Sequence, residues 1–219
     1  MSEDANGQLQ KILSLGDFFA LGFDIDSQQI AKDLEEFTNH WVQYNPYKPN
    51  NPRQGLSVTS LSGGLDGKPD LYSLGELYKR EGVLYREGDF RTFTPVFERC
   101  RDLHPLLQHF AGGVGRTHFL RFQAGGHFPP HRDGGMMTAP DTFRILMPIH
   151  NVSHSSVAFL LDGRRLSFSP CTPYFVNTLL PHSLFSFSDD VIFLVSNIVI
   201  SARSVERLLA ALPEGPPWS

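Results

Sequence analysis

The second half of the chain alternates apolar and polar residues with a period of two, and this pattern limits the fold more than any other feature. Such a period is typical of β-strands, in which successive side chains point to opposite faces. Asp162-Gly163 inside this region predicts a tight hairpin turn. Many short strands separated by turns predict a β-sandwich or a small barrel. The segments are THFLRFQ from Thr117, FRILMPIH from Phe143, SVAFLLDGRRLSFSP from Ser156, PYFVN from Pro173 and VIFLVSNIVI from Val191.

Helical periodicity appears before and after these strands. Apolar residues recur at helical intervals over residues 27–42, and Thr94-Pro95 is typical of the start of a helix that continues to about Leu107. A last apolar stripe over residues 205–212 predicts a helix near the end of the sequence. The expected fold class is therefore mainly β with flanking helices.

The 219 residues are enough for one well-buried core, so we expect a single domain over 1–219. Within it, residues 1–110 are expected to form N-terminal helices and a pocket cover, 111–200 the β core, and 201–219 a C-terminal helix and tail. Residues 45–90 are rich in Gly, Pro and Asn and lack sustained periodicity. They are predicted to cover the open end of the barrel.

Charge and hydropathy exclude several classes of partner. The net charge is −4 and the pI about 6.1, which argues against an electrostatic grip on nucleic acid or anionic lipid. No apolar run approaches the roughly 20 residues that span a bilayer, and the first residues are not typical of a signal peptide. Cys100 and Cys171 lie far apart and suit free thiols in a reducing compartment. We expect a cytoplasmic protein with a small-molecule substrate. The sequence does not indicate the oligomeric state.

The triplet His131-Arg132-Asp133 has a spacing that suits metal binding. On an extended segment residues i and i+2 point to the same side, so an imidazole and a carboxylate converge. A third ligand must then come from another strand, and His182 follows a strand and a proline about fifty residues later. Two histidines and one carboxylate with an open face are what non-haem Fe(II) oxygenases use. The triplet alone is a weak motif, and a surface His and Asp in a loop would have the same spacing.

Three stretches carry a further signal: RFQAGGHFPPHRD, FRILMPIHN and VAFLLDGRRLSFSPCTPYFVNTLLPHSLFSFSDD. Together they resemble the aspartyl/asparaginyl β-hydroxylase-like oxygenases, which include proline cis-hydroxylases. The resemblance covers about residues 115–200 and implies a double-stranded β-helix (a jelly-roll, cupin-like fold). It also implies Fe(II) held by His131, Asp133 and His182, with 2-oxoglutarate as co-substrate and O₂ as oxidant, giving succinate and CO₂ while a substrate carbon is oxidised.

The sequence departs from that family at two positions. Val191 stands where the family has an arginine that anchors the far carboxylate of 2-oxoglutarate, and Leu146 stands where it has a histidine. Either the co-substrate is held differently or a different co-substrate is used. Arg144 is retained and is predicted to be the principal anchor for an acidic co-substrate, with Arg121 as a second cofactor-binding candidate or a structural ion pair.

Three further residues are candidates for substrate binding. Arg53 lies in a Pro/Asn-rich loop and could hold a carboxylate through two hydrogen bonds. His118 and Asn197 each lie in an apolar strand and could line the pocket. The expected function is hydroxylation of a free amino acid or an amino-acid-like metabolite. The alternatives are a peptide or protein hydroxylase of the aspartyl/asparaginyl type and a cupin-like metal protein that does not use 2-oxoglutarate.

Overall fold

The computed structural model describes residues 3–133 and 141–213. The α-helices are α1 (Glu3–Leu13), α2 (Ser27–Asp33), α3 (Leu74–Glu81), α4 (Pro95–Arg99), α5 (His104–His109) and α6 (Ala202–Ala210), with 3₁₀ segments at Leu34–His40, Glu87–Asp89 and Arg101–Leu103. The strands are β1 (Phe18–Ala20), β2 (Val42–Gln43), β3 (Arg53–Ser57), β4 (Thr59–Ser60), β5 (Thr92–Phe93), β6 (Val114–Phe122), β7 (His127–His131), β8 (Thr142–His150), β9 (Val157–Leu161), β10 (Arg164–Arg165), β11 (Tyr174–Val176), β12 (His182–Ser186) and β13 (Val191–Val199).

Two antiparallel sheets form the body of the protein. The larger sheet has the strand order β1-β11-β8-β13-β6-β3-β2, and the smaller has the order β10-β9-β12-β7. One apolar cluster contains Leu120 and Phe193 of the large sheet together with Phe159 and Leu184 of the small sheet, so the two sheets face each other. The predicted double-stranded β-helix with flanking helices is confirmed.

The large sheet is apolar on both faces. Its inner face, with Leu120 and Phe193, packs on the small sheet, whereas Phe119 and Leu194 belong to the cluster of the helices. Register partners in neighbouring antiparallel strands share a face, so each inner or outer side chain lies in a row that crosses the sheet. A polar side chain points into the barrel only if its row lies on the inner face.

The predicted hairpin turn is confirmed, but two predicted helices are interrupted. Asp162 and Gly163 have φ angles of +49° and +76°, as the mirror-image turns of short hairpins require. The helix predicted over 27–42 changes to 3₁₀ at Leu34 and kinks at Phe37. The helix predicted from Pro95 to about Leu107 breaks at Cys100, whose ψ of 71° is not helical, so the apolar periodicity spans α4, a 3₁₀ turn and α5.

Residues 45–90 are more regular than the sequence predicts. Arg53–Ser57 pairs with β6 as a strand of the large sheet, and Leu74–Glu81 is a helix. The segment at Glu87 lies directly on β6, because a Cβ at Gly115 would come within 2.6 Å of the Glu87 carbonyl oxygen. Among the residues described, no helix has the length and apolar character that a bilayer crossing requires.

Candidate metal centre

Strand pairing brings His131, Asp133 and His182 together at one end of the small sheet. His131 ends β7, His182 begins β12, and the two are register partners. His131 Nε2 lies 3.6 Å from Asp133 Oδ1, and His182 Nε2 lies 4.0 Å from Asp133 Oδ2. One ligand atom from each residue lies within 4.8 Å of the others. The three side chains therefore converge as a metal site needs, and their role as ligands stays a prediction.

Backbone carbonyls fix the ring orientation of both histidines. His131 Nδ1 donates to the Pro129 carbonyl at 2.8 Å, and His182 Nδ1 donates to the Leu180 carbonyl at 3.0 Å. A carbonyl oxygen can only accept, so Nδ1 carries a proton in each ring and Nε2 is the nitrogen that remains for a metal. A ligand histidine ordinarily has this arrangement, since its second nitrogen is held by a hydrogen bond.

The protonation states of the carboxylate and the buried histidine also suit a cation. Burial by itself would raise the pKa of Asp133, but Arg144, His182 and His131 together hold it below its ordinary value. Burial lowers the pKa of His182 in spite of the neighbouring Asp133. An ionised carboxylate and neutral imidazoles are the forms that bind metals, and two nitrogens with one oxygen suit Fe(II).

A polar network connects Asp133 to Glu87 and Arg116. Arg144 Nη1 donates to Asp133 Oδ2, while Nε and Nη2 donate to Asn197 Oδ1 at 3.1 and 3.0 Å. Asn197 Nδ2 donates in turn to Glu87 Oε2 at 3.2 Å. Glu87 receives two hydrogen bonds from Arg116, at 2.6 and 2.7 Å. These contacts hold Arg144 between the candidate metal ligand and a second ion pair, Arg116 with Glu87.

The sequence did not single out Arg116 or Glu87. Arg116 directly precedes the period-two segment, and a charge at the start of a strand is a weak signal that could have found it. Glu87 lies in an irregular stretch, and no spacing relates it to β6. Only the packing of that stretch on the sheet brings its carboxylate to Arg116.

Arg121, predicted as a cofactor-binding residue, lies on the wrong face for this centre. Its neighbours Leu120 and Phe122 point into the barrel, so a period of two directs Arg121 outwards. Its guanidinium lies 5.0 Å from the Trp41 ring. Its Nε lies 2.8 Å from Asp190 Oδ1, close enough for an ion pair although the N–H bond does not point at that oxygen. The structural ion pair, the other interpretation of Arg121, fits this position.

Arg53 and His118 both lie on the inner face, together with the two departures from the family pattern. Arg53, Phe122 and Val191 form one row across β3, β6 and β13. Leu146 belongs to the inner apolar cluster. The surface also has a depression of about 350 Å³, and none of the three candidate ligands lines it. Its lining residues are Tyr47, Lys48, Pro49, Asn50, Asn51 and His127.

His118 is buried with both ring nitrogens unpartnered among the described residues. Burial, with help from Arg116 and Arg144, lowers its pKa well below the ordinary value. The folded protein therefore keeps His118 neutral where the unfolded chain, with a pKa near 6.5, binds a proton. This contribution to stability is complete above about pH 6.5 and is lost as the pH falls below it.

Replacing His118 by leucine is expected to remove that pH dependence. The free energy of unfolding of H118L, relative to wild type, should rise by about 1.4 kcal/mol between pH 7.5 and 5.5, because one proton no longer favours the unfolded chain. Asp70, whose pKa burial raises to about 6, titrates in both proteins and cancels in the difference. Urea unfolding of both proteins at the two pH values measures this. If the difference in free energy of unfolding between H118L and wild type is the same at both pH values, the pKa of His118 is not lowered by folding.

Comparisons with known proteins show the fold and leave the family open. No protein-family model matches the chain, and no curated protein matches it. Among solved structures, a prolyl hydroxylase from Trichoplax adhaerens, in complex with a hypoxia inducible factor oxygen degradation domain peptide fragment, has a TM-score of 0.51 at 8% identity, covering 93% of this chain and 94% of that one. At this identity the likeness is one of fold alone.

Two further structures are similar at lower scores. A viral collagen prolyl hydroxylase from Paramecium Bursaria Chlorella virus-1 has a TM-score of 0.43 at 9% identity, over 84% of this chain and 96% of that one. An RmlC-like cupin protein from Desulfovibrio desulfuricans has a TM-score of 0.29 at 15% identity, over 40% of this chain and 74% of that one.

Proposed function

We propose that the protein is a non-haem Fe(II)- and 2-oxoglutarate-dependent dioxygenase that hydroxylates a small, amino-acid-like substrate. The observation that carries the proposal is the convergence of His131, Asp133 and His182 inside a double-stranded β-helix. Their lone pairs and charge suit Fe(II), and three protein ligands leave positions open for a co-substrate and O₂. When bound, Fe(II) supplies the activation of O₂ that protein side chains cannot perform.

Arg144 has two roles in this proposal. In the free protein it donates to Asp133 Oδ2 and so orients the carboxylate whose other oxygen is nearer His131. Its guanidinium also provides a positive charge for an acidic co-substrate, since a carboxylate in a water-poor pocket needs one. Asn197 accepts hydrogen bonds from Nε and Nη2 of the same guanidinium. It would keep Arg144 in place when a co-substrate carboxylate binds.

Turnover of 2-oxoglutarate tests the proposal. Purified protein is loaded anaerobically with Fe(II) and given 2-oxoglutarate and O₂, and succinate is measured with and without each of the twenty amino acids. We expect succinate release that depends on Fe(II) and is stimulated by one or a few amino acids. Metal-free protein and protein without O₂ are the controls. If no condition releases succinate from protein that has bound Fe(II), the dioxygenase proposal is wrong.

A cupin-like metal protein that does not use 2-oxoglutarate is the second candidate. It is favoured by the apolar inner face around Val191, where the side chains are Phe122, Leu161, Leu184 and Phe193. Val191 itself offers no charge to the far carboxylate of 2-oxoglutarate, and the arginine on its row, Arg53, lies two strands away. Tight metal binding combined with no binding of 2-oxoglutarate would favour this candidate.

A further inference from the structure

The inner face of β3 carries a buried arginine that lacks an acidic partner. Arg53 is 2% exposed, and no ion pair joins it to a carboxylate in the part of the chain that the structure describes. The other inner arginines each have one: Arg116 pairs with Glu87 and Arg144 with Asp133. A charge removed from water is ordinarily paired. Arg53 is therefore a positive charge for which these residues provide no counter-ion.

Two aromatic rings and one carbonyl hold the guanidinium of Arg53 beside the candidate metal centre. Its central carbon lies 4.0 Å from the centroid of the Phe128 ring and 5.2 Å from that of Tyr44. Nη1 donates to the His127 carbonyl at 2.8 Å, while Nε has no partner among the described residues. The Phe128 ring lies 5.9 Å from the ring of His131. A single ring thus separates the unpaired charge from a candidate ligand.

A second group of unpartnered polar atoms lies along the same face. Ser57 and His118 are register partners on β3 and β6 and are both 2% exposed. Ser57 Oγ and both nitrogens of His118 have no partner within the described parts of the chain. The Tyr44 ring stacks on His118 at 5.5 Å and also faces Arg53, so it connects the two groups. Buried polar atoms almost always have partners, so these three atoms, together with Arg53 Nε, point to a ligand that binds on this face.

We propose that Arg53 is the counter-ion for a carboxylate of a bound small molecule, and that Ser57 and His118 bind the polar groups at its other end. A neutral imidazole donates through one nitrogen and accepts through the other, and a hydroxyl does both. The guanidinium offers two parallel hydrogen bonds to a carboxylate. The carboxylate belongs to the co-substrate or to an amino-acid-like substrate, and to this extent the inference rests on the proposed function.

Binding measurements on matched variants test the site without turnover. Wild type, R53M, R53K and R121M, each loaded with Mn(II), are titrated calorimetrically with glutarate, 2-oxoglutarate and each of the twenty amino acids. R121M is the matched control, because Arg121 also stacks on an aromatic ring of this fold but faces away from the barrel. The His118 ring protons are followed by NMR in parallel titrations of Zn(II)-loaded protein, because Mn(II) is paramagnetic and would broaden them.

We expect a carboxylate to bind wild type and R121M equally, to shift the His118 resonances, and to bind R53M at least about 30-fold more weakly. R53K keeps the charge without the planar fork, so its affinity should be intermediate; it also tests the site if R53M does not fold. If R53M loses affinity only for glutarate and 2-oxoglutarate, the carboxylate belongs to the co-substrate. If it loses affinity only for an amino acid, the carboxylate belongs to the substrate.

Two results would overturn the inference: no carboxylate binds wild type, or R53M and R53K bind as wild type does. These results are distinct from failure of the proposed function. Succinate release with carboxylate binding unchanged in R53M and R53K would reject the site and keep the dioxygenase. Carboxylate binding that depends on Arg53, without succinate release, would keep the site and reject the dioxygenase.

Discussion

H182A is expected to lower the affinity for Fe(II) by more than about 100-fold and to abolish any activity that depends on iron. The histidine contributes one of three predicted ligands, and even partners that only orient ligands change metal affinity by about 10–100-fold. The fold should survive, because His182 begins β12 at the end of the small sheet and its backbone pairing with β7 and β9 does not need the ring. Anaerobic titration with Fe(II), followed by metal analysis after desalting, measures the effect.

An exposed histidine provides the control for this experiment. His154 lies on the surface in the turn before β9, so H154A should bind Fe(II) as wild type does. Circular dichroism and a thermal unfolding curve check that H182A is folded. Wild-type affinity for Fe(II) in folded H182A would reject the proposed centre, whatever the activity of the protein.

R144A is expected to weaken the binding of 2-oxoglutarate to metal-loaded protein by about 2–5 kcal/mol, because removing one member of a buried charge pair leaves the other unpaired. The same change removes the hydrogen bond that orients Asp133, so the affinity for Fe(II) should fall by about 10-fold or more. R144K keeps the charge but cannot bridge Asp133 and Asn197 with a planar fork. It should restore part of the affinity for 2-oxoglutarate.

Calorimetric titration of Mn(II)-loaded protein with 2-oxoglutarate separates the two effects of R144A, provided that the metal content is matched. R164A, at an exposed position of β10, is the control variant and should bind like wild type. Unchanged affinity in R144A would exclude Arg144 as the anchor. It would leave Arg53 as the inner-face arginine without an acidic partner among the described residues.

Local sequence patterns predicted the strands and the hairpin well because these features depend on near neighbours. A period of two and an Asp-Gly turn are encoded within about ten residues. The helices were predicted less well. Cys100 sits inside a segment whose apolar periodicity continues on both sides, and the break appears only in its backbone angles. Periodicity reports which side chains face the core, and several short helical turns satisfy it as well as one long helix.

The candidate site was predicted unevenly for a similar reason. His131 and Asp133 are two residues apart, and residues two apart on an extended chain point to the same side, so their convergence could be predicted although Asp133 lies just after the end of β7. The predictions for Arg121 and Arg53 were less accurate. Arg121 was ranked as a co-substrate residue, whereas its face is decided by which of its neighbours enter the barrel. Arg53 was predicted to lie in a loop, whereas pairing of β3 with β6 buries it on the inner face.

The mainly β fold could be predicted from the period-two strands, and the His-x-Asp triplet indicated a candidate metal site. The tertiary structure decided which distant groups meet. His182 reaches the triplet through the pairing of β12 with β7, and Glu87 reaches Arg116 through the packing of an irregular segment. The physical reason is that a strand's pattern specifies two faces, whereas sheet pairing and register specify which face turns inwards and what lies opposite it.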